Sequence, residues 1–241
     1  MKQRLDQAVV ARVLVPTRSQ AENYIKLGKV EVDGQAITKP GFLVRDEAQI
    51  KLMVAVQYVS RAALKLASVA ELLHLSFADK TVLDVGSSTG GFTHYALNHG
   101  AKKVIAVELG SEQMHPSLRT DPRIELHEKT DIRGFQTSDQ IDLIVADVSF
   151  ISLRDILPSI AKLASAQTEI VVMAKPQFEA ASSNLKHKGV VKNERMRRDI
   201  LKDFEDWTRG QFIIIDKSDS AVAGAKGNQE RFYLLHKLHL Q

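Results

Sequence analysis

The stretch that most constrains this chain is Thr81 to Thr93, which reads Thr-Val-Leu-Asp-Val-Gly-Ser-Ser-Thr-Gly-Gly-Phe-Thr. A short apolar run around Asp84, a set of small residues, and two glycines opening a helical segment predict strand, tight turn and helix N-terminus in that order. Gly86 supplies backbone angles closed to other residues, and Gly91 lets the following helix pack close to the strand. The first N–H groups of that helix have no partner within it and are free to donate. Glu108 follows Gly86 by 22 residues, at the end of the apolar run Val104 to Val107. An acid at that place meets ribose hydroxyls, so the turn and the acid together predict a nucleotide-like ligand lying against the backbone.

Two cofactors suit this outline, and the third glycine position separates them. Dinucleotide sites place glycines first, third and sixth so that a pyrophosphate can approach the backbone. Here Ser88 holds the third place, and only Gly86 and Gly91 match. S-adenosyl-L-methionine has no phosphate and asks for a close-packed glycine turn, an acid near its amino-acid end and an acid at its ribose. Asp84, Gly86, Gly91 and Glu108 meet those needs, and Ser88, Phe92 and Asp131 complete the expected cofactor set. The stretch favours the methyl donor over NAD, and an ordinary tight strand-to-helix turn stays open at this point.

The 241 residues are enough for a large domain with a small one, and 44% hydrophobic side chains suffice for a buried core. The opening Met-Lys-Gln-Arg-Leu-Asp lacks the apolar segment of a signal peptide, and no apolar run reaches the about 18 residues that a spanning helix needs. A cytoplasmic protein with no membrane partner is expected. With no cysteine, disulfides and thiolate metal sites are excluded, and no metal is called for. The net charge of +4 is unevenly spread: residues 1 to 58 hold nine Lys or Arg against six Asp or Glu. A small basic domain points to a polyanion, against the plainer reading of a solvated surface.

Taken in order, Arg4 to Val15 has the spacing of a helix that Pro16 breaks. Thr17 with Gln20 forms a capping box for a second helix running through Leu27 and closed by Gly28. A hairpin follows around Asp33-Gly34, and Gln49 to Val54 adds a strand. Tyr58 to Leu75 predicts a helix that contains Lys65. Strands and helices then alternate: Val82 to Val85, Gly91 to Asn98, Val104 to Val107, Ser111 to Arg119, Ile124 to Leu126, Ile141 to Ala146, Ser152 to Ala164 and Ile170 to Ala174. That alternation predicts an α/β, Rossmann-like fold with a parallel sheet covered by helices. A helix from Glu194 to Thr208 and strands at Phe212 to Asp216 and Arg231 to Leu238 follow, the final hairpin giving a mostly parallel sheet one antiparallel strand.

In such a sheet the ligand lies beyond the carboxyl ends of the strands. Charge recurs there. Glu108, Asp131, Asp147 and Lys175 each follow an apolar run, and Glu230 begins the last one. Each alone can be a helix cap or a surface charge; five at equivalent positions are harder to dismiss.

Two resemblances sharpen this reading. Arg4-Leu-Asp, Pro-Thr-Arg-Ser-Gln-Ala at 16 to 21 and Ile-Lys-Leu-Gly-Lys-Val-Glu-Val-Asp-Gly at 25 to 34 resemble the small RNA-binding domain shared by a ribosomal small-subunit protein, pseudouridine synthases and a tyrosyl-tRNA synthetase. That likeness implies an RNA face carrying Arg4, Arg18, Lys26 and Lys29. Tyr-Val-Ser-Arg-Ala-Ala-Leu-Lys-Leu at 58 to 66, the glycine turn, Ala-Asp-Val-Ser-Phe-Ile-Ser-Leu at 146 to 153, Lys-Pro-Gln-Phe-Glu at 175 to 179 and Gly-Asn-Gln-Glu at 227 to 230 resemble the TlyA branch, also called haemolysin A, of the FtsJ-type ribosomal RNA methyltransferases. The resemblance implies a seven-stranded methyltransferase sheet, 2′-O-methylation of cytidine in ribosomal RNA or ribosomal subunits, and a catalytic tetrad of Lys65, Asp147, Lys175 and Glu230. It also implies an RNA-binding domain over 1 to 55, a linker over 56 to 60 and a methyltransferase domain over 61 to 241. Glu108 stands where that family is expected to carry an aspartate, and Asp131 where an asparagine is common; both keep a polar acceptor. The basic run Lys186, Lys188, Lys192, Arg195, Arg197 and Arg198 offers a second contact to RNA backbone, with the plainer reading of a mobile solvated loop equally open. The rival readings are a membrane-active haemolysin and a non-catalytic RNA-binding or ribosome-assembly factor on the same scaffold.

Overall fold

The computed structural model describes residues 2–54, 57–180, 189–224 and 227–238. The chain divides into two compact units, Met1–Arg61 and Ala62–Gln241.

In the first unit, β1 (Lys2–Arg4), α1 (Leu5–Ala11), α2 (Arg18–Lys26), β2 (Val30–Val32), β3 (Gln35–Ala36), β4 (Leu43–Arg45) and β5 (Ile50–Leu52) follow one another. β1 pairs antiparallel with β4, and β3-β2-β5 form a small antiparallel sheet. Leu5, Val9, Tyr24, Ile25, Val30 and Val44 are buried between these elements. Thr17 caps α2 by accepting from the Gln20 N–H, and Gly28 leaves the helix with φ +68°. Asp33 and Gly34 both take positive φ, as the favoured two-residue hairpin turn requires. The segment expected as a single helix from Arg4 to Val15 is shorter. Its first residue, Arg4, belongs to β1, and Val13 at φ +56° ends the helical path before Pro16 is reached.

The second unit is built on seven strands in the order β11-β12-β10-β9-β6-β7-β8. They are β6 (Thr81–Val85), β7 (Lys103–Val107), β8 (Ile124–His127), β9 (Leu143–Ala146), β10 (Glu169–Ala174), β11 (Phe212–Asp219) and β12 (Arg231–Lys237). Six point the same way, five of them paired in parallel, and β12 lies antiparallel between β10 and β11. The helices are α3 (Arg61–Ala70), α4 (Gly91–Asn98), α5 (Pro116–Arg119), α6 (Leu153–Leu163), α7 (Pro176–Glu179) and α8 (Glu194–Thr208). Leu83, Ile105, Ile144, Val172, Tyr233 and Leu235 form one core with the apolar stripes of α6 and α8. Strand alternation sends Asp84 to the other face, where it meets α4.

The helix expected over Ser111 to Arg119 is only α5. Glu112 takes φ +57°, and Pro116 opens the helix with His115 as its cap, so the earlier residues form a loop. α3 likewise spans less than the expected Tyr58 to Leu75. Among the described residues, no helix is long and apolar enough to cross a membrane.

Candidate active site

The chain steps from β6 outward through β7 and β8, then returns to the other side of β6 at β9. This reversal leaves a crevice at the carboxyl ends of β6 and β9, where open α/β sheets hold ligands. The two strand ends touch across it. Gly86 takes φ +77°, and a Cβ there would lie 2.8 Å from the Asp147 carbonyl oxygen. Ser88 also has positive φ, and its N–H donates to Glu108 Oε2 at 2.8 Å while the Gly110 N–H donates to Oε1 at 2.7 Å. The acid after β7 is thereby fixed against the turn after β6.

Beneath the turn, Asp84 Oδ2 accepts from the Thr93 N–H at 2.8 Å and the Thr93 hydroxyl at 2.6 Å. Among the described residues, its Oδ1 and the hydroxyl of the buried Ser87 have no hydrogen-bond partner. Burial pushes the Asp84 carboxyl up to about 7, against the two Thr93 bonds that favour its charged form. A glycine cradle with no room for a side chain, an uncommitted carboxylate oxygen and a second acid at the next strand fit a cationic, ribose-bearing ligand.

Gly91 opens α4 and is buried, but the conformational demand falls on its neighbour Gly90, at φ +84°. A Cβ there would collide with Met114 and Leu118. The Phe92 ring is buried 6.0 Å from Phe232, so it supports the turn from the core side. Asp131, beyond β8, holds Arg133 through its backbone N–H and guanidinium, which keeps its carboxyl below the usual range.

Four charged side chains meet in two pairs. Lys65 on α3 lies 2.5 Å from Glu230 Oε2, and Lys175 at the end of β10 lies 2.5 Å from Asp147 Oδ1 at the end of β9. The four side chains are largely buried. Lys175 also donates to Ser149 Oγ at 2.7 Å. Burial pushes the Glu230 carboxyl up; Lys65 and Lys175 oppose the shift and Asp147 adds to it, so the two pairs share one electrostatic environment. Ser149 and its neighbour Phe150 lie in a stretch singled out by its motif, but their placement was not legible in it. Phe150 is 93% exposed with φ +69°, and its ring packs 5.5 Å from Phe178 on α7.

Glu179, last in the Lys-Pro-Gln-Phe-Glu motif, is buried and serves the scaffold. It accepts from Ser152 Oγ at 2.6 Å and the Leu153 N–H at 2.9 Å, joining α7 to the start of α6. This fixes the loop bearing Asp147 and Ser149 relative to the strand end bearing Lys175.

The expected RNA contacts divide. Lys26 and Lys29 are exposed, whereas Arg4 and Arg18 both bind the buried Asp6, at 2.9 and 2.8 Å. Burial would raise the Asp6 carboxyl, but the two guanidinium groups outweigh it and hold it below its usual range. Lys192, Arg195 and Arg198 are exposed; Arg197 is buried, which removes it from the basic surface expected there. Lys186 and Lys188 lie outside the described residues.

Residues 58–237 match the FtsJ-like methyltransferase family and residues 3–50 the S4 domain. The chain is 36% identical over 238 residues to the 16S/23S rRNA (cytidine-2'-O)-methyltransferase TlyA of Mycobacterium tuberculosis, covering 96% of this chain and 89% of that relative. It is 37% identical over 238 residues to hemolysin A of Brachyspira hyodysenteriae, covering 97% and 98%. A solved structure from Streptococcus thermophilus superposes with a TM-score of 0.71 at 32% identity, over 98% of this chain and 88% of that one. With an S4 domain ahead of an FtsJ-like methyltransferase domain and these relatives spanning nearly its whole length, the chain belongs to the TlyA/hemolysin A family.

Proposed function

We propose that the protein methylates the ribose 2′-hydroxyl of a cytidine in ribosomal RNA, with S-adenosyl-L-methionine as methyl donor, in the cytoplasm. The observation that carries this reading is the meeting of Lys175–Asp147 and Lys65–Glu230 at the strand ends beside the glycine turn. When bound, the donor supplies a sulfonium-activated methyl group, so no metal or covalent protein intermediate is needed for the transfer. Asp84, Gly86, Ser87, Ser88 and Glu108 would hold it. The chain's own residues must then orient a weak nucleophile and take one proton from it.

Lys175 is the proton acceptor in this reading. Asp147 and Ser149 direct its amine, and the ribose hydroxyl provides its third contact. Lys65 and Glu230 fix the hydroxyl from the other side. Phe150, held out in a strained conformation on Phe178, offers an aromatic face for a base, in the manner of proteins that read unstacked nucleotides. Lys26 and Lys29 in the S4 domain, with Arg4 and Arg18 through the parts of their guanidinium groups not given to Asp6, bind phosphate, as do Lys192, Arg195 and Arg198 on the second unit.

Replacing Lys175 tests the assignment. Lys175→Ala abolishes methyl transfer while RNA and cofactor still bind, and Lys175→Arg fails equally because a guanidinium does not deprotonate at accessible pH. Near wild-type turnover by the arginine variant removes Lys175 as the base.

A further inference from the structure

Arg195, Arg197 and Arg198 are neighbours in sequence with different surroundings. Arg195 and Arg198 face solvent at the start of α8, whereas Arg197 is 4% exposed. Its Nε donates to the Gln229 carbonyl at 3.1 Å, and its Nη2 donates to Asp219 Oδ1 at 2.6 Å. Arg231 donates from Nε to the same oxygen at 2.6 Å and from Nη2 to Asp219 Oδ2 at 3.2 Å. Two guanidinium groups, one from α8 and one from the residue after Glu230, thus share one carboxylate.

The peptide that carries Glu230 is held along its length. The Ser220 N–H donates to the Glu230 carbonyl at 3.0 Å, and Gln229 Nε2 donates to the Ser220 carbonyl at 2.8 Å. Gly224 leaves room for the Glu230 carboxylate, since a Cβ there would lie 2.8 Å from Oε1. The buried Asn228 accepts from the Val191 N–H at 2.8 Å, tying the segment just before α8 to the same peptide. A guanidinium is a planar fork with fixed directions, so Arg197 sets both the distance and the orientation of the Gln229 carbonyl relative to α8. Burying it is costly, and a well-packed apolar side chain would fill the same space, so the charge brings direction more than stability.

We propose that Arg197 is a positioning residue for Glu230. It links α8, with its exposed Arg195 and Arg198, to the peptide that carries the catalytic carboxylate, and it makes no contact with RNA itself. The inference rests on the reading that Glu230 belongs to the catalytic group.

The test compares Arg197→Ala and Arg197→Lys with Arg198→Ala in the full chain. Methyl transfer is measured over a range of RNA and S-adenosyl-L-methionine concentrations, and cofactor affinity by calorimetry. Arg197→Ala lowers kcat by about tenfold to a hundredfold, the scale of a small misplacement of a catalytic group, with KM for RNA and cofactor affinity unchanged. Arg197→Lys keeps the charge, loses the fork and recovers only part of the rate. Arg198→Ala moves KM for RNA instead. Wild-type kcat in Arg197→Ala, or a loss confined to RNA binding, overturns the proposal.

Should Arg197→Ala not fold, Asp219→Asn weakens the aim of the guanidinium while leaving it in place. A lower kcat with retained cofactor binding is expected there, and an unchanged kcat overturns the proposal. Hydrogen exchange over residues 219–224 and 227–231, measured with neither RNA nor cofactor present, separates this inference from the functional reading. Exchange rises in Arg197→Ala and stays at the wild-type level in Arg198→Ala even if no methyl transfer to RNA is found. Wild-type exchange in Arg197→Ala shows that the tie does not hold the peptide.

Discussion

Asp84 joins burial, one satisfied oxygen and one unsatisfied oxygen in a single side chain, and its carboxyl titrates at about 7 instead of near 3.8. The raised value means that it takes up a proton as pH falls through neutrality. A methyl donor bearing an ammonium and a sulfonium binds better to the ionised form. Calorimetry is therefore expected to show cofactor affinity falling between about pH 8 and about pH 6, with binding at the lower pH accompanied by proton release. Asp84→Asn should flatten that dependence. An affinity independent of pH in the wild-type protein would show that Asp84 does not face the donor's charge. The same acid was legible in the sequence as the polar residue inside an apolar run, because strand alternation makes it conspicuous. Its Thr93 partner was not singled out, since a threonine in a helix carries no signal until the fold places it opposite Asp84.

The turn between β6 and α4 depends on glycine for two separable reasons. Gly86 needs both its positive φ and the space beside the Asp147 carbonyl, which is backbone and cannot swing aside. Gly86→Ala should cost about 1–3 kcal/mol of stability and also weaken cofactor binding, because it pushes apart the strand ends that form the crevice. Gly34, at φ +82° with open space around it, is the control: an alanine there meets only the conformational cost, about 1–2 kcal/mol, and leaves cofactor binding unchanged. Thermal unfolding and calorimetry on both variants check this; equal cofactor affinity in both would mean that the Gly86–Asp147 approach does not shape the site. The strands of the large sheet were legible because buried parallel strands are continuous apolar runs with charge just beyond them. α5 and β4 were not. Residues 111–115 have a helical composition that Pro116 and the positive φ of Glu112 override, and β4 is three residues long, recognisable only through its pairing with β1. The basic run was legible as charge but not as geometry: only the buried bonds of Arg197 separate it from Arg195 and Arg198.

Lys26 and Lys29 of the S4 unit and Lys192, Arg195 and Arg198 of the methyltransferase unit are exposed, and the proposed phosphate contacts at these residues predict an RNA affinity that depends on salt. In the full chain, Lys26→Gln with Lys29→Gln should weaken RNA binding for all sequences alike and make the slope of log affinity against log salt shallower by about 0.7–0.9 for each phosphate no longer neutralised. An unchanged slope would leave the S4 domain without a part in binding. The account as a whole stands on where the methyl group goes. A methylated 2′-oxygen cannot attack the adjacent phosphodiester, so ribosomal RNA incubated with the protein and S-adenosyl-L-methionine, then partially hydrolysed in alkali, reports the modified atom directly. Alkali resistance 3′ of a cytidine, present with the wild-type protein and absent with Lys175→Arg, is the predicted result. Methyl transfer to a base with the hydrolysis ladder intact, or no transfer to RNA, would contradict it.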